Sequence, residues 1–226
     1  MSDPAVPPSP PTPDDAGPPG SLWARMKADP QYAPEHLALE AVRRLGPEAR
    51  RWADRAREDQ PGIAADALAD QAVKRFMNHA RLSGAVSGAT GLPGAVVDVG
   101  VLAWTQSRMV LHIAAAYGAD PTSPDRATDL LVLQKVHKVA ESARVALGVA
   151  AGRERASRLF AGAADRPLSG VMLKLGVKLA QMAGVRAAKH MFAKIVPGAA
   201  VVLGTWVNSA ATKDLAHRTR ELYGRS

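Results

Sequence analysis

The chain has 226 residues, enough for one ordinary domain, and although 47% are hydrophobic only 4% are aromatic. A core of Ala, Val, Leu, Ile and Met favours helix packed on helix, and the β-branched or aromatic runs that mark strands are missing. There is no cysteine, which excludes disulfides and thiolate metal sites, and the net charge of +8 is uneven: 13 Lys/Arg against 4 Asp/Glu from Ala151 to Ser226, but 16 against 17 before it.

Residues 1–20 hold eight of the 17 prolines. Such a segment cannot bury enough apolar surface to offset its ordering entropy. The expectation is a disordered Pro-rich tail over residues 1–30 and a single all-α domain over 31–226. The N-terminus Met1-Ser2-Asp3-Pro4 has neither a basic nor an apolar leader region. A cytoplasmic protein, at most peripheral at the inner face of the membrane, is therefore expected.

The first helix is predicted from Pro34 to Leu45, ended by Gly46-Pro47. A charged, solvated helix from Pro47 to Asp59 follows, with Trp52 as its anchor. Gly62 opens a third helix that carries Leu68, Val73 and Phe76 and ends near Ser83. Four glycines and a proline between Gly84 and Gly94 must turn the chain or let backbones touch. A long apolar helix is predicted over 95–117, closed by Gly118 at the position after the cap. One helix is predicted over 125–149, a short one over 153–163, and one from Ser169 to Val196. Pro197-Gly198 then turns into the last helix, which Tyr223-Gly224 closes.

The chain echoes itself. Leu92-Pro93-Gly94-Ala95 and Val196-Pro197-Gly198-Ala199 align without a gap, and each segment later ends in Tyr-Gly, at 117–118 and 223–224. Two related helical hairpins are the expectation, over 61–124 and 168–224, with elbows at Pro93-Gly94 and Pro197-Gly198. The fold class is thus an all-α, antiparallel helical bundle containing two similar Gly/Pro-turned apolar hairpins. Neither apolar segment reads as a membrane span of about 20 residues. Asp98, Gln106, Arg108 and His112 interrupt the first, and the second is uncharged only from Ile195 to Val207.

Gly84 to Gly94, the apolar helix with Asp98, its close at Ala116-Tyr117-Gly118-Ala119-Asp120, and Ile195-Val196-Pro197-Gly198-Ala199 through Asn208 to Leu222-Tyr223 together resemble the EcsC family. The resemblance covers residues 60–224. EcsC proteins are helical bacterial proteins named from an operon that also encodes an ABC transporter. The resemblance implies a link to membrane processes, a transporter or secretion complex among them. It brings no settled activity, although a hydrolase role has been attached to the name, and no established catalytic set to carry over.

Asp98, Thr105, Arg108 and His112 fall within about 80° of arc on the 95–117 helix, a polar stripe on an apolar rod. Buried, these groups must pair or hydrogen-bond, or each costs several kcal/mol. The stripe reads first as a register-fixing network, with Asn208 of the second hairpin completing it, and second as a ligand-facing or catalytic surface. Gly84-Ala85-Val86-Ser87-Gly88 is not a nucleophile elbow, because its serine stands one place late and no strand precedes it. No phosphate loop and no metal-ligand spacing is present, so neither cofactor nor metal is expected.

The predicted helix from Ser169 carries an apolar stripe (Leu173, Val177, Ala180, Gly184, Ala188, Met191, Ile195) beside Lys174, Lys178, Arg186, Lys189 and Lys194. No acidic residue lies between Asp165 and Asp214. Such a surface suits an anionic membrane or a membrane-protein complex. Nucleic acid fits less well, since Phe192 is nearly the sole stacking residue there. The leading expectation is a non-enzymatic, membrane-associated helical module. The alternatives are a ligand-binding or hydrolytic bundle using Asp98, Arg108 and His112, and a structural protein that homo-oligomerises through its Gly/Ala faces.

Overall fold

The computed structural model describes residues 17–83, 91–159 and 199–225, with side chains over 17–77, 99–156 and 210–225. Seven α-helices account for most of these residues: α1 (Gly20–Ala28), α2 (Ala33–Asp59), α3 (Ala65–Ser83), α4 (Gly91–Ala116), α5 (Asp125–Leu133), α6 (Ala140–Leu159) and α7 (Ala199–Tyr223). The fold is all-α, and no strand occurs among the described residues.

Helix α4 is apolar around most of its circumference, its polar residues included in the burial, the pattern of a helix that lies inside a domain. From Ala103 to Ala116 every residue is buried except Thr105. Helices α2, α3 and α7 pack around it. Side-chain contacts fix their directions. Tyr117, just past the end of α4, donates its hydroxyl hydrogen bond to Asp66 in the first turn of α3, so α3 runs antiparallel to α4. Glu48 lies beside Arg108, and Arg57 donates to the carbonyls of Ala115 and Ala116, so α2 runs alongside α4 in the same direction. Gln106 donates to Thr212 at 3.3 Å, and Gly224 packs on the Tyr117 ring, so α7 also runs with α4.

Gln106 and Thr212 are separated by 106 residues in the chain, and so are the two Tyr-Gly ends. In the register of the Tyr-Gly ends, two residues longer than that of the Pro-Gly-Ala matches, equivalent places are therefore neighbours in space. Each closing tyrosine gives its hydroxyl to an aspartate on another helix, Tyr117 to Asp66 and Tyr223 to Asp129. The elbows are another matter. Pro93 and Gly94 stand in the first turn of α4, where a missing N–H costs nothing, and they do not break the chain away from the helix. Pro197 and Gly198, and the predicted helix from Ser169, lie outside the described residues.

Three boundaries differ from expectation. Ordered structure precedes Pro34: α1 buries Leu22 and Met26, one turn apart, and seats Trp23 on the bare backbone of Gly100. Residues 20–28, expected within the tail, thus form a helix packed on the core. Secondly, α2 is continuous through Gly46-Pro47. An interior proline costs about 3 kcal/mol, but α2 buries Leu37, Ala41, Leu45, Ala49 and Ala53 in one stripe that spans both sides of it. Burial of that stripe outweighs the lost hydrogen bond.

Gly46 explains why the segment tolerates no bulk. A Cβ there would lie 2.5 Å from the carbonyl oxygen of Pro121 and 3.1 Å from the Thr122 Cα. Both belong to a turn that Asp120 pins by accepting from the Thr122 hydroxyl (2.7 Å), from the Thr122 N–H (2.8 Å) and from Arg50. These donors hold the Asp120 carboxyl down to about 2. Gly46→Ala, a change that stabilises an ordinary exposed helix by about 1 kcal/mol, is expected here to cost on the order of 1–3 kcal/mol through overpacking. Denaturant unfolding of the two proteins measures the sign directly.

The third difference is that the predicted helices 125–149 and 153–163 are divided elsewhere: the first breaks after Leu133, and α6 runs from Ala140 through the expected gap at 150–152 to Leu159. Gln134 caps α5, and Lys135 takes a left-handed conformation at φ 59°. The Lys135 N–H bonds to Val132 and that of Val136 to Leu131, both at 2.9 Å. This is the same paired closure that ends α4, where Gly118 (φ 85°) and Ala119 bond to Ala115 and Ala114. An arginine from another helix completes each end: Arg57 on α4, and Arg218 on the Leu133 carbonyl of α5. The second closure uses a lysine where the first uses glycine, and this hides it from the sequence. Lys135→Gly should stabilise the protein by about 1 kcal/mol, because an L-residue pays about that to be left-handed and the exposed Lys135–Asp214 pair (3.3 Å) contributes little. Thermal unfolding checks it. Val139 is 54% exposed just before α6.

Candidate functional site

The polar stripe of α4 meets α2 and α3 in one seam. Helical spacing brings Glu48 and Trp52 of α2 to the same face, one turn apart, and places Arg108 and His112 opposite them. Adjacent residues Arg75 and Phe76 close the seam from α3. His112 is 1% exposed and lies between two rings, with Trp52 at 5.1 Å between centroids and Phe76 edge-on at 4.9 Å. Its Nδ1–H donates to the Arg108 carbonyl at 2.8 Å, which fixes the tautomer. Burial is the main cause that pushes the imidazole pKa down to about 3, and the nearby Arg75 and Arg108 charges add to it. The hydrogen bond to the backbone opposes them only in part. His112 is therefore neutral throughout the ordinary pH range.

Arg108 is 2% exposed, with its Nε 3.4 Å from Glu48 Oε1, an ion pair longer than a good hydrogen bond. Burial raises the Glu48 pKa, although Arg108 and Arg51 pull against it. Arg75 is shifted down, first by burial and then by the Arg108 charge. The seam thus gathers two guanidinium groups, one carboxylate and a neutral imidazole in a low-dielectric space between three helices.

The hydroxyls here serve the backbone. Thr105 donates to the Val101 carbonyl at 3.0 Å and Ser107 to that of Ala103 at 2.9 Å, while Ser107 also accepts from Gln134 at 3.3 Å. A hydroxyl bonded back to its own helix turn is not poised as a nucleophile. His112 gives its proton to a carbonyl and is too weakly basic to collect another near neutrality. The seam joins α2, α3 and α4 through the Arg108–Glu48 charge pair and the contacts of the His112 ring with Trp52 and Phe76.

Of the stripe read from sequence, Arg108 and His112 sit at the centre of the seam, and Thr105 lies on the same helix, half-buried and bonded to its own backbone. The side chains of Asp98 and Asn208, and all of Lys174, Lys178, Arg186, Lys189 and Lys194, lie outside the described residues. The sequence missed Glu48, Arg75 and Phe76 as members of the site. The available signal was Glu48 four places before Trp52, the one large apolar residue of that charged stretch. Among the described residues, no three His, Cys, Asp or Glu side chains gather as a metal site would need.

A second polar centre ties the N-terminal helices together. Glu40 is 1% exposed and receives Arg25 (2.5 Å), Arg44 (2.5 Å) and Arg43, while Glu154 of α6 pairs with Arg25 at 3.5 Å. Burial alone would raise the Glu40 pKa. The Arg44 hydrogen bond and the Arg43 and Arg25 charges overcome burial and hold the carboxyl below its ordinary value.

Residues 57–225 match the model of the EcsC protein family. No curated protein and no solved structure matches the chain. Arg75, Phe76, Arg108 and His112 fall inside the matched region, whereas Glu48 and Trp52 precede it. The match extends over well more than half of the sequence and includes both Tyr-Gly closures and the central helix: the chain belongs to the EcsC protein family.

Proposed function

We propose that this protein is a non-enzymatic helical module that docks peripherally on an anionic lipid surface through residues 166–194, with the α1–α7 core as its platform. One observation carries the reading: seven Lys/Arg and no acid lie between Asp165 and Asp214. Elsewhere in the basic third, four arginines have acidic partners, Arg153 among them with Asp29. Arg218 pairs with Asp214, Arg220 with Asp70, and Arg225 with Glu221 at 3.5 Å. The charge excess therefore concentrates on Lys174, Lys178, Arg186, Lys189 and Lys194, beside the apolar stripe from Leu173 to Ile195. Each such cation near an anionic leaflet is worth on the order of 1 kcal/mol. No helix among the described residues is long and apolar enough to cross a membrane.

Flotation with vesicles tests it. The protein should rise with vesicles containing an anionic lipid at low salt and stay behind in high salt, where screening shortens the reach of the charges. It should not rise with zwitterionic vesicles. No recruitment by anionic vesicles at low salt contradicts the proposal.

A further inference from the structure

An open groove of about 530 Å³ runs between the start of α2 and the outer face of α6. Its size is that of small-molecule pockets. Tyr32, Glu35, His137, Glu141, Val145 and Val149 line it. Val145 and Val149, one helical turn apart, are 69% and 38% exposed, an apolar wall open to solvent. Glu35 is 4% exposed. Its Oε1 accepts from His137 Nε2 at 2.8 Å, whereas its Oε2, equally withdrawn from solvent, has no hydrogen-bond partner among the described residues. A desolvated carboxylate oxygen without a donor is costly, and a ligand that brings one recovers that cost. Glu141, exposed at the rim, adds a second negative charge. No Lys or Arg is among the lining residues; Arg153, one turn beyond Val149 on α6, stacks 4.8 Å from the Tyr32 ring centroid, and Asp29 at 3.0 Å answers its charge.

We infer that this groove binds an organic cation: an ammonium or guanidinium group paired with Glu35, on a short alkyl body laid along Val145 and Val149. Carboxylate, unmet acceptor and apolar wall together select that class over anions and over neutral polar molecules. The inference is independent of membrane docking. Its ligand chemistry has two sources, a free amine or guanidine and a Lys or Arg side chain of the chain's own basic stretch.

NMR titration of the full chain with n-butylguanidinium, and with its neutral isostere n-butylurea, decides the matter. The cation should give saturable shifts at the His137 imidazole and at the Glu141–Val149 amides, and the urea should not. Glu35→Gln should weaken binding at least ~tenfold, the usual worth of a charged hydrogen bond. Val145→Lys, a change at an exposed position that the fold tolerates, should weaken it several-fold by placing a like charge on the wall. Glutamine at Lys174, Lys178, Arg186, Lys189 and Lys194 separates the sources: tighter binding in that variant assigns the natural cation to the chain itself, and unchanged binding assigns it to a free molecule. The inference is overturned if no saturable shift occurs, if the urea shifts the same residues equally, or if Val145→Lys and a folded Glu35→Gln both bind as the unmodified chain does.

Discussion

Acidification from pH 6.5 to about 4.5 should cost this protein on the order of 2–3 kcal/mol through His112 alone. The imidazole titrates near 6.5 in the unfolded chain and at about 3 in the folded one. Between those values the unfolded state holds a proton that the folded state refuses. Stability therefore rises with pH across the window and levels off above 6.5. His112→Leu keeps an apolar body between Trp52 and Phe76 and removes the titration. Denaturant midpoints across the pH range should show the variant's curve flatter than that of the unmodified chain by about that amount. Glu48 acts with the opposite sign, since its folded pKa is raised: its contribution is present below the ordinary carboxylate value and fades as pH climbs. It titrates in both proteins, so the difference between the curves isolates the histidine. Parallel curves would mean that His112 is accessible to protons and that the seam is not sealed.

Glu40→Gln is the second large effect. The carboxylate is buried under Arg25, Arg43 and Arg44, and removing one member of a buried ion cluster typically costs 3–5 kcal/mol. Arg43 and Arg44 are about half exposed and can turn to water, which lowers the expected loss to about 2–3 kcal/mol. The loss should be largest above the ordinary carboxylate pKa and shrink as acid protonates Glu40 in the unmodified chain, because its folded pKa is lowered. Urea unfolding at neutral and acid pH measures both parts. Since Arg25 and Glu154 belong to α1 and α6, the variant should also speed amide exchange in α1.

Much of the fold was legible in the residues. Gly118 marks the end of α4 because its closure needs φ > 0 and glycine supplies it without strain. The Tyr-Gly echo at a spacing of 106 reads as a repeat, and its two copies touch. Lys135 makes the same closure with no glycine to announce it, so one predicted helix becomes two. Pro47 announces a break that does not occur, because tertiary burial of α2 overrides a local preference. Helix α1 hides in a proline-rich context, though Leu22 and Met26 already stand one turn apart.

Sites follow the same division. Arg108 and His112 share a face by helical arithmetic, which sequence supplies. Glu48, Arg75 and Phe76 join them only through packing between helices. Glu40 shows the limit most clearly: Arg43 and Arg44 are local neighbours, whereas Arg25 and Glu154 arrive from separate helices. The Glu35–His137 contact bridges 102 residues and leaves no local pattern.

The most direct test of the functional account is charge neutralisation in the intact chain. Glutamine should replace Lys174, Lys178, Arg186, Lys189 and Lys194 together, with circular dichroism and the urea midpoint showing the core intact. The variant should no longer float with anionic vesicles at low salt, while the unmodified chain does. Equal recovery of both proteins in the vesicle fraction would contradict it.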